Sequence, residues 1–171
     1  MSQTFKIIEN EFEGKVAIVT GTGTGIGESI AERLYAGGAS VALISRHIKP
    51  LNEICERIDP SGKRIFPIEV DVRDPQHIQI AIQSIIRRFG KIDIAVNNAG
   101  ITGPANTPVQ DTDIEIWRDV IETDLNSVFY CMKYEIPAML ENGSGAIVNM
   151  SSANGLVGLA GMAAYTAAKQ A

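Results

Sequence analysis

Two cysteines and two histidines in 171 residues leave little material for a disulfide framework or a metal centre. Cys55 and Cys131 lie far apart in the chain, which suits a reducing compartment. Neither His47 nor His77 has a second ligand near it at metal spacing, so no metal site is expected. Basic runs are absent and the net charge is −5, which argues against a nucleic-acid partner. No apolar stretch approaches the length of a membrane span. The opening "MSQTFKIIENEFEGK" lacks the apolar middle of a secretory signal, and a cytoplasmic protein is expected. Internal repeats, low-complexity segments and linkers long enough to divide domains are missing too. What is present is 45% hydrophobic and 20% charged, the balance of a globular chain. Its length suits one domain that buries about two-thirds of its unfolded surface.

The apolar residues follow two periods in turn. Short runs read as buried strands: "VAIVT" (Val16 to Thr20), "SVALIS" (Ser40 to Ser45), "RIFPIEV" (Arg64 to Val70), "IDIAV" (Ile92 to Val96) and "GAIVNM" (Gly145 to Met150). Helical spacing recurs between them. Ile30, Ala31 and Leu34 run up to Gly37-Gly38, Leu51, Ile54 and Ile58 follow, and Ile78, Ile82, Ile85, Ile86 and Phe89 make the cleanest stripe. A long helix is expected from about Asp113 to Leu140, and a last one from near Gly161. Strands alternating with helices mean parallel βαβ units and a sheet covered on both faces. The expected fold is one α/β domain with a doubly wound, Rossmann-type parallel sheet over residues 14–171, behind a tail at 1–13.

The first strand runs straight into "GTGTGIG", with glycines at 21, 23, 25 and 27. Glycine is costly unless the backbone needs positive φ or the close approach of another group. Where a strand ends and a helix begins, free N–H groups and the helix dipole favour an anion. The fingerprint G-x-G-x-x-G fits no frame, because Ile26, Glu28 or Ile30 falls on a required glycine, and the phosphate-loop pattern fails for want of a lysine. The spacing that fits is T-G-x-x-x-G-x-G, through Thr20, Gly21, Gly25 and Gly27, with Thr24 and Ile26 inside the loop. On these residues alone a cofactor loop and a plain glycine-rich turn both stand.

Three later stretches add to the pattern: "NNAG" (Asn97 to Gly100) ends the fourth strand, "NMSS" (Asn149 to Ser152) ends the fifth, and "YTAAK" sets Tyr165 and Lys169 on one helix face. With these motifs in order, the sequence resembles the short-chain dehydrogenase/reductase family from about Gly14 onward. The separation of thirteen positions from Ser152 to Tyr165 matches that family as well. The resemblance implies NAD(P)-dependent oxidation or reduction of an alcohol or carbonyl. It implies Tyr165 as acid/base, Lys169 lowering the phenol's pKa and binding the nicotinamide ribose, and Ser152 hydrogen-bonding the substrate oxygen. The chemistry is consistent. A free tyrosine titrates near pH 10, so work near neutrality needs about 4 kcal/mol. A unit charge about 4 Å away supplies roughly that much at an effective dielectric of about 20.

One position departs from the family pattern. The family's helix asparagine aligns with Asp124, and Asn126 lies two residues later. Helical spacing sets Asp124 on the face of Val120, Ile121 and Val128, so a buried carboxylate with a partner or a raised pKa is expected. Asp124 then either takes over the family's water relay to the lysine or is a substitution that lowers activity.

Cofactor choice is read after the second strand, where a carboxylate would favour NAD and a cation NADP. Here Ser45 stands in the carboxylate's place and Arg46 follows, which favours NADP, with NAD the alternative. Asp71-Val72 resembles the family's adenine-contacting pair, and Asn98, Ala99 and Gly100 its ribose-side strand end. His47, His77, Trp117 and both cysteines read as surface or packing residues.

Family members continue beyond the point where this chain stops, two residues after Lys169. The expectation is therefore an amino-terminal fragment of a longer, homo-oligomeric reductase, its fifth strand an open edge. Alone, the fragment should bind cofactor weakly and turn nothing over. A nucleotide-binding or interaction protein without catalysis is the competing class.

Overall fold

Successive strand residues point to opposite faces of a sheet, and β1 (Val16–Thr20) buries all five of its residues. Such a strand needs cover on both sides. Val16 and Ile18 join a cluster with Ile78, Ile82 and Ile85 of α3 (Pro75–Phe89) and Cys131, Ala138 and Met139 of α5 (Ser127–Glu141). Ala17 and Val19 face the other way, onto Ala31 and Leu34 of α1 (Gly25–Ala36) and Leu51 and Ile54 of α2 (Ile48–Ile58). The computed structural model that shows this describes residues 10–171, and residues 1–9 of the expected tail lie outside it. Within 10–13, the Phe12 amide donates to the Gly37 carbonyl at 2.7 Å, and Arg33 sits over the Phe12 ring.

The sheet is parallel, in the order β3-β2-β1-β4-β5, with β2 at Ser40–Ser45, β3 at Ile65–Glu69, β4 at Ile94–Asn97 and β5 at Ala146–Asn149. The chain builds outward from β1 through β2 to β3, then crosses back by α3 to β4 on the other side of β1. The crevice at the carboxyl ends of β1 and β4 is therefore the switch point where open α/β sheets bind ligands. Among the described residues β5 pairs with β4 alone, and it is the open edge that was expected.

Local chemistry sets the ends of the elements. Asp74 caps α3 through the amides of Gln76 and His77, Pro75 opens it, and Gly90 closes it in the left-handed region. The fourth strand starts at Ile94 rather than Ile92, because the Asp93 carboxylate takes the Val16 amide at 2.8 Å. The long helix expected from Asp113 to Leu140 is divided. It runs as α4 (Ile114–Ile121), a π-turn at Glu122–Asn126, and then α5. The last helix, α6, spans Ala163–Gln170, and short 3-10 turns at Val109–Asp111 and Ala153–Gly155 complete the chain.

Candidate active site

The glycine loop lies between β1 and α1, at the switch point. Gly21 and Gly25 have φ of +71° and +67°, a backbone that favours glycine. Gly27 is needed for closeness, since a Cβ there would stand 2.6 Å from Asn98 Nδ2 and press on the Gly21 carbonyl. Thr24 precedes α1 without capping it by its side chain, so the first amides of the helix are left to another acceptor. Beside them opens a cavity of about 270 Å³, lined by Gly21, Gly23, Thr24, Ser45, Arg46, His47, Val70, Val72, Ala99, Gly100, Ile101 and Thr123 among others. Its donors suit a diphosphate and its apolar wall suits a base.

The second half of the site is built around α6. Tyr165 and Lys169 share a face, with Lys169 Nζ 5.7 Å from the centre of the Tyr165 ring. The Lys169 ammonium donates to the Met150 carbonyl at the end of β5 (3.0 Å) and lies 3.2 Å from Asp124 Oδ2. Asp124 stands on the π-turn, and its Oδ1 accepts from the Ile101 amide at 2.8 Å. Burial pushes the Asp124 carboxyl above its ordinary value, while the Ile101 amide and the Lys169 charge pull the other way. Gly100 makes room for this carboxylate, for a Cβ there would lie 2.7 Å from Oδ2.

Ser152 sits half-buried at the start of the 3-10 turn after β5, where its hydroxyl accepts from the Asn154 amide at 3.3 Å. Two contacts hold this turn against α6. Asn154 Nδ2 donates to Thr166 Oγ1 at 3.4 Å, and Gly155 packs so close that a Cβ would be 2.8 Å from the Lys169 carbonyl. Gly100 and Ile101 connect the halves, since both line the cavity and both meet Asp124.

The family profile of the short chain dehydrogenases matches residues 15–171. The chain belongs to the short-chain dehydrogenase family. It is 39% identical over 164 residues to a cyclohexanol dehydrogenase of Acinetobacter sp. (strain SE19), across 96% of this chain and 65% of that protein. It is 41% identical over 158 residues to a 3-oxoacyl-(acyl-carrier-protein) reductase of Salmonella typhimurium, across 92% of this chain and 63% of that protein. The crystal structure of an NAD+-bound xylitol dehydrogenase superposes with a TM-score of 0.89 at 33% identity, over 94% of this chain and 61% of that one. The chain thus spans less than two-thirds of the length of these short-chain dehydrogenase relatives. No described helix is long and apolar enough to cross a membrane, and no described cluster of His, Cys, Asp and Glu could hold a metal ion.

Within this short-chain dehydrogenase site several residues do something other than face the cavity. Asn98 braces the loop: its Nδ2 donates to the carbonyls of Thr20 (3.0 Å) and Gly21 (3.3 Å), and its amide to Thr20 Oγ1 (3.0 Å). Asp71 is held by Arg73, whose Nε and Nη2 reach its two oxygens at 3.0 and 2.6 Å. That pairing, ahead of burial, keeps the Asp71 carboxyl below its ordinary value. Asp71 and Arg46 line a neighbouring cleft with His47, Glu69, Arg73 and His77. Ile26 is exposed on the first turn of α1. His47 is exposed yet lines the cavity, a placement that a reading as surface or packing does not convey. Sequence reasoning also missed the Ile101 amide and the Met150 carbonyl. Both act through the backbone, and no side-chain pattern marks them.

Proposed function

We propose that this chain carries the cofactor-binding and proton-transfer groups of an oxidoreductase that moves a hydride between NADP(H) and an alcohol or carbonyl substrate. The observation that carries this reading is the buried Lys169 ammonium, fixed between Met150 and Asp124 on the helix that bears Tyr165. A bound nicotinamide supplies or accepts the hydride. Tyr165 gives its hydroxyl proton to the substrate oxygen in reduction and takes it back in oxidation. Lys169 presents a fixed cation beside that phenol and holds the nicotinamide ribose. The Ser152 hydroxyl accepts from Asn154, which leaves its own proton for the substrate oxygen. Asp124 acts in the proton relay behind Lys169.

The dinucleotide's pyrophosphate would rest on the loop from Gly21 through Thr24, Gly25, Ile26 and Gly27. Its nicotinamide ribose would lie by Asn98, Ala99, Gly100, Tyr165 and Lys169, and its adenine by Asp71 and Val72. Ser45 and Arg46 would meet the adenosine ribose. An exposed guanidinium on the cavity rim, with serine where a carboxylate would repel a phosphate, supports NADP over NAD. The test is an absorbance assay of NADPH oxidation against a panel of ketones and aldehydes, using the complete reading frame. Turnover that Tyr165→Phe abolishes is expected. A protein that binds NADPH but consumes none across the panel, or a Tyr165→Phe variant with wild-type turnover, refutes the reading.

A further inference from the structure

Asp124 and Lys169 form an ion pair that solvent hardly reaches, their side chains 0% and 7% exposed. Each is anchored to backbone as well: the ammonium to the Met150 carbonyl, and the carboxylate, through Oδ1, to the Ile101 amide. Oδ2 is left facing Lys169, across the gap that Gly100 keeps open.

The other charges nearby are occupied elsewhere. On the π-turn, Glu122 accepts from Asn126 Nδ2 at 2.7 Å and from the Tyr130 hydroxyl at 3.4 Å. On α4, Arg118 pairs with Glu115 (2.5 Å) and Asp119 with Arg73 (2.6 Å). The loop after β4 offers an amide, and the end of β5 a carbonyl and the Ser151 and Ser152 hydroxyls. Among the described residues, Lys169 is the charge that acts on Asp124.

We propose that Asp124 is a charge regulator: its carboxylate cancels part of the field that Lys169 exerts on Tyr165, and so raises the pH at which the phenol releases its proton. An isolated ammonium acts on the phenol as a point charge. An ammonium with a carboxylate 3.2 Å away acts as a dipole, whose influence falls faster with distance. The proposal rests on Tyr165 being the acid/base, but the charge relation can be read without turnover.

The experiment is a tyrosinate absorbance titration of the full chain without cofactor. Subtracting the curve of Tyr165→Phe isolates Tyr165 from Tyr35, Tyr130 and Tyr134. The same subtraction is then made in an Asp124→Asn background. The midpoint should fall by about one pH unit, the usual size for removing a close charge. Asp124→Ser, a smaller neutral acceptor for the Ile101 amide, carries the same expectation should the asparagine variant fail to fold. An unchanged midpoint in a folded variant overturns the proposal, and so does a rise. A rise is what an Asp124 that merely propped Lys169 in place would give, because its loss would loosen the cation. A downward shift in a protein without turnover supports the charge relation and counts against the proposed reaction alone.

Discussion

Glu135 should cost this fold stability as the pH rises, and Glu135→Gln should remove that cost. The residue sits on α5, fully buried, and faces the β4–β5 pair. Its Oε2 accepts from Asn97 Nδ2 at 3.1 Å, and its Oε1 has no partner among the described residues. Burial pushes its carboxyl from the ordinary 4.5 up to about 7, against the weaker pull of the Asn97 amide. Below pH 4.5 the carboxyl is neutral in both the folded and unfolded chain, and no penalty arises. Between the two values the unfolded chain ionises while the folded one does not, so stability falls as pH rises. Above 7 both are charged and the loss levels off. At about 1.4 kcal/mol per pH unit, the accumulated loss is about 3 kcal/mol. Urea unfolding of wild type and Glu135→Gln from pH 4 to pH 8 checks this. The glutamine amide adds an offset of its own, but that offset does not change with pH. The difference between the two proteins should therefore grow by about 3 kcal/mol in favour of glutamine, on the order of 1 M in urea midpoint. Parallel pH dependence of the two proteins would mean that Glu135 is not held neutral by its surroundings, and the argument would fail.

In the complete protein, Tyr165→Phe should end turnover and leave NADPH affinity nearly intact by fluorescence titration, whereas Lys169→Ala should harm both. Arg46→Ala should weaken NADPH by roughly ten- to a hundredfold and barely change NADH, as befits the loss of one or more charged hydrogen bonds. Equal loss of both cofactors would mean that Arg46 does not read the 2′-phosphate. Gly100→Ala places a Cβ 2.7 Å from Asp124 Oδ2 and should cost about 1–3 kcal/mol in denaturant unfolding, a cost that Asp124→Ser should relieve. Burial raises the Asp93 carboxyl, but the Val16 amide with Lys91 and Lys15 outweighs it and holds the group below its ordinary 3.8. Its stabilisation is present at neutral pH and lost as the pH falls below that value. Asp93→Ala should therefore cost about 1–3 kcal/mol at pH 7 and progressively less in acid.

The strands were legible because each is a short apolar run closed by glycine or a polar group, and a doubly covered sheet requires such runs. β4 was misplaced at its start because Ile92 is as buried as a strand residue, although Asp93 is already using its side chain on β1. The burial of Asp124 followed from the apolar residues one turn away, and the structure bears it out. Its mode of attachment did not follow. The π-turn leaves no trace in composition, and the groups that hold the carboxylate and the ammonium include one amide and one carbonyl. Glu135 escaped notice for the opposite reason. A glutamate in a helix ordinarily reads as solvated, and here it is Asn97 of β4, whose amide donates both to Glu135 and to Asn149 of β5, that makes the site.

The π-turn at Glu122–Asn126 also bears on how this segment tolerates changes in length. A π-turn holds one residue more than the α-helical turn it replaces. Deleting a single residue there would let α4 and α5 join as one regular helix, a change the local backbone would accept without strain. The cost would fall elsewhere. The wider turn absorbs the extra residue, so α4 and α5 would keep nearly the same phase about the helix axis, and what moves is Asp124 on the turn itself. The inward face of α5, with Cys131, Glu135, Ala138 and Met139, would stay on the sheet, while Asp124 would lose the widened turn that sets it against Ile101 and Lys169. The extra residue thus shapes the surface that faces the candidate site and leaves the one that faces the sheet undisturbed. Natural variation in length should be scarce across these five positions and common in the loop before α4.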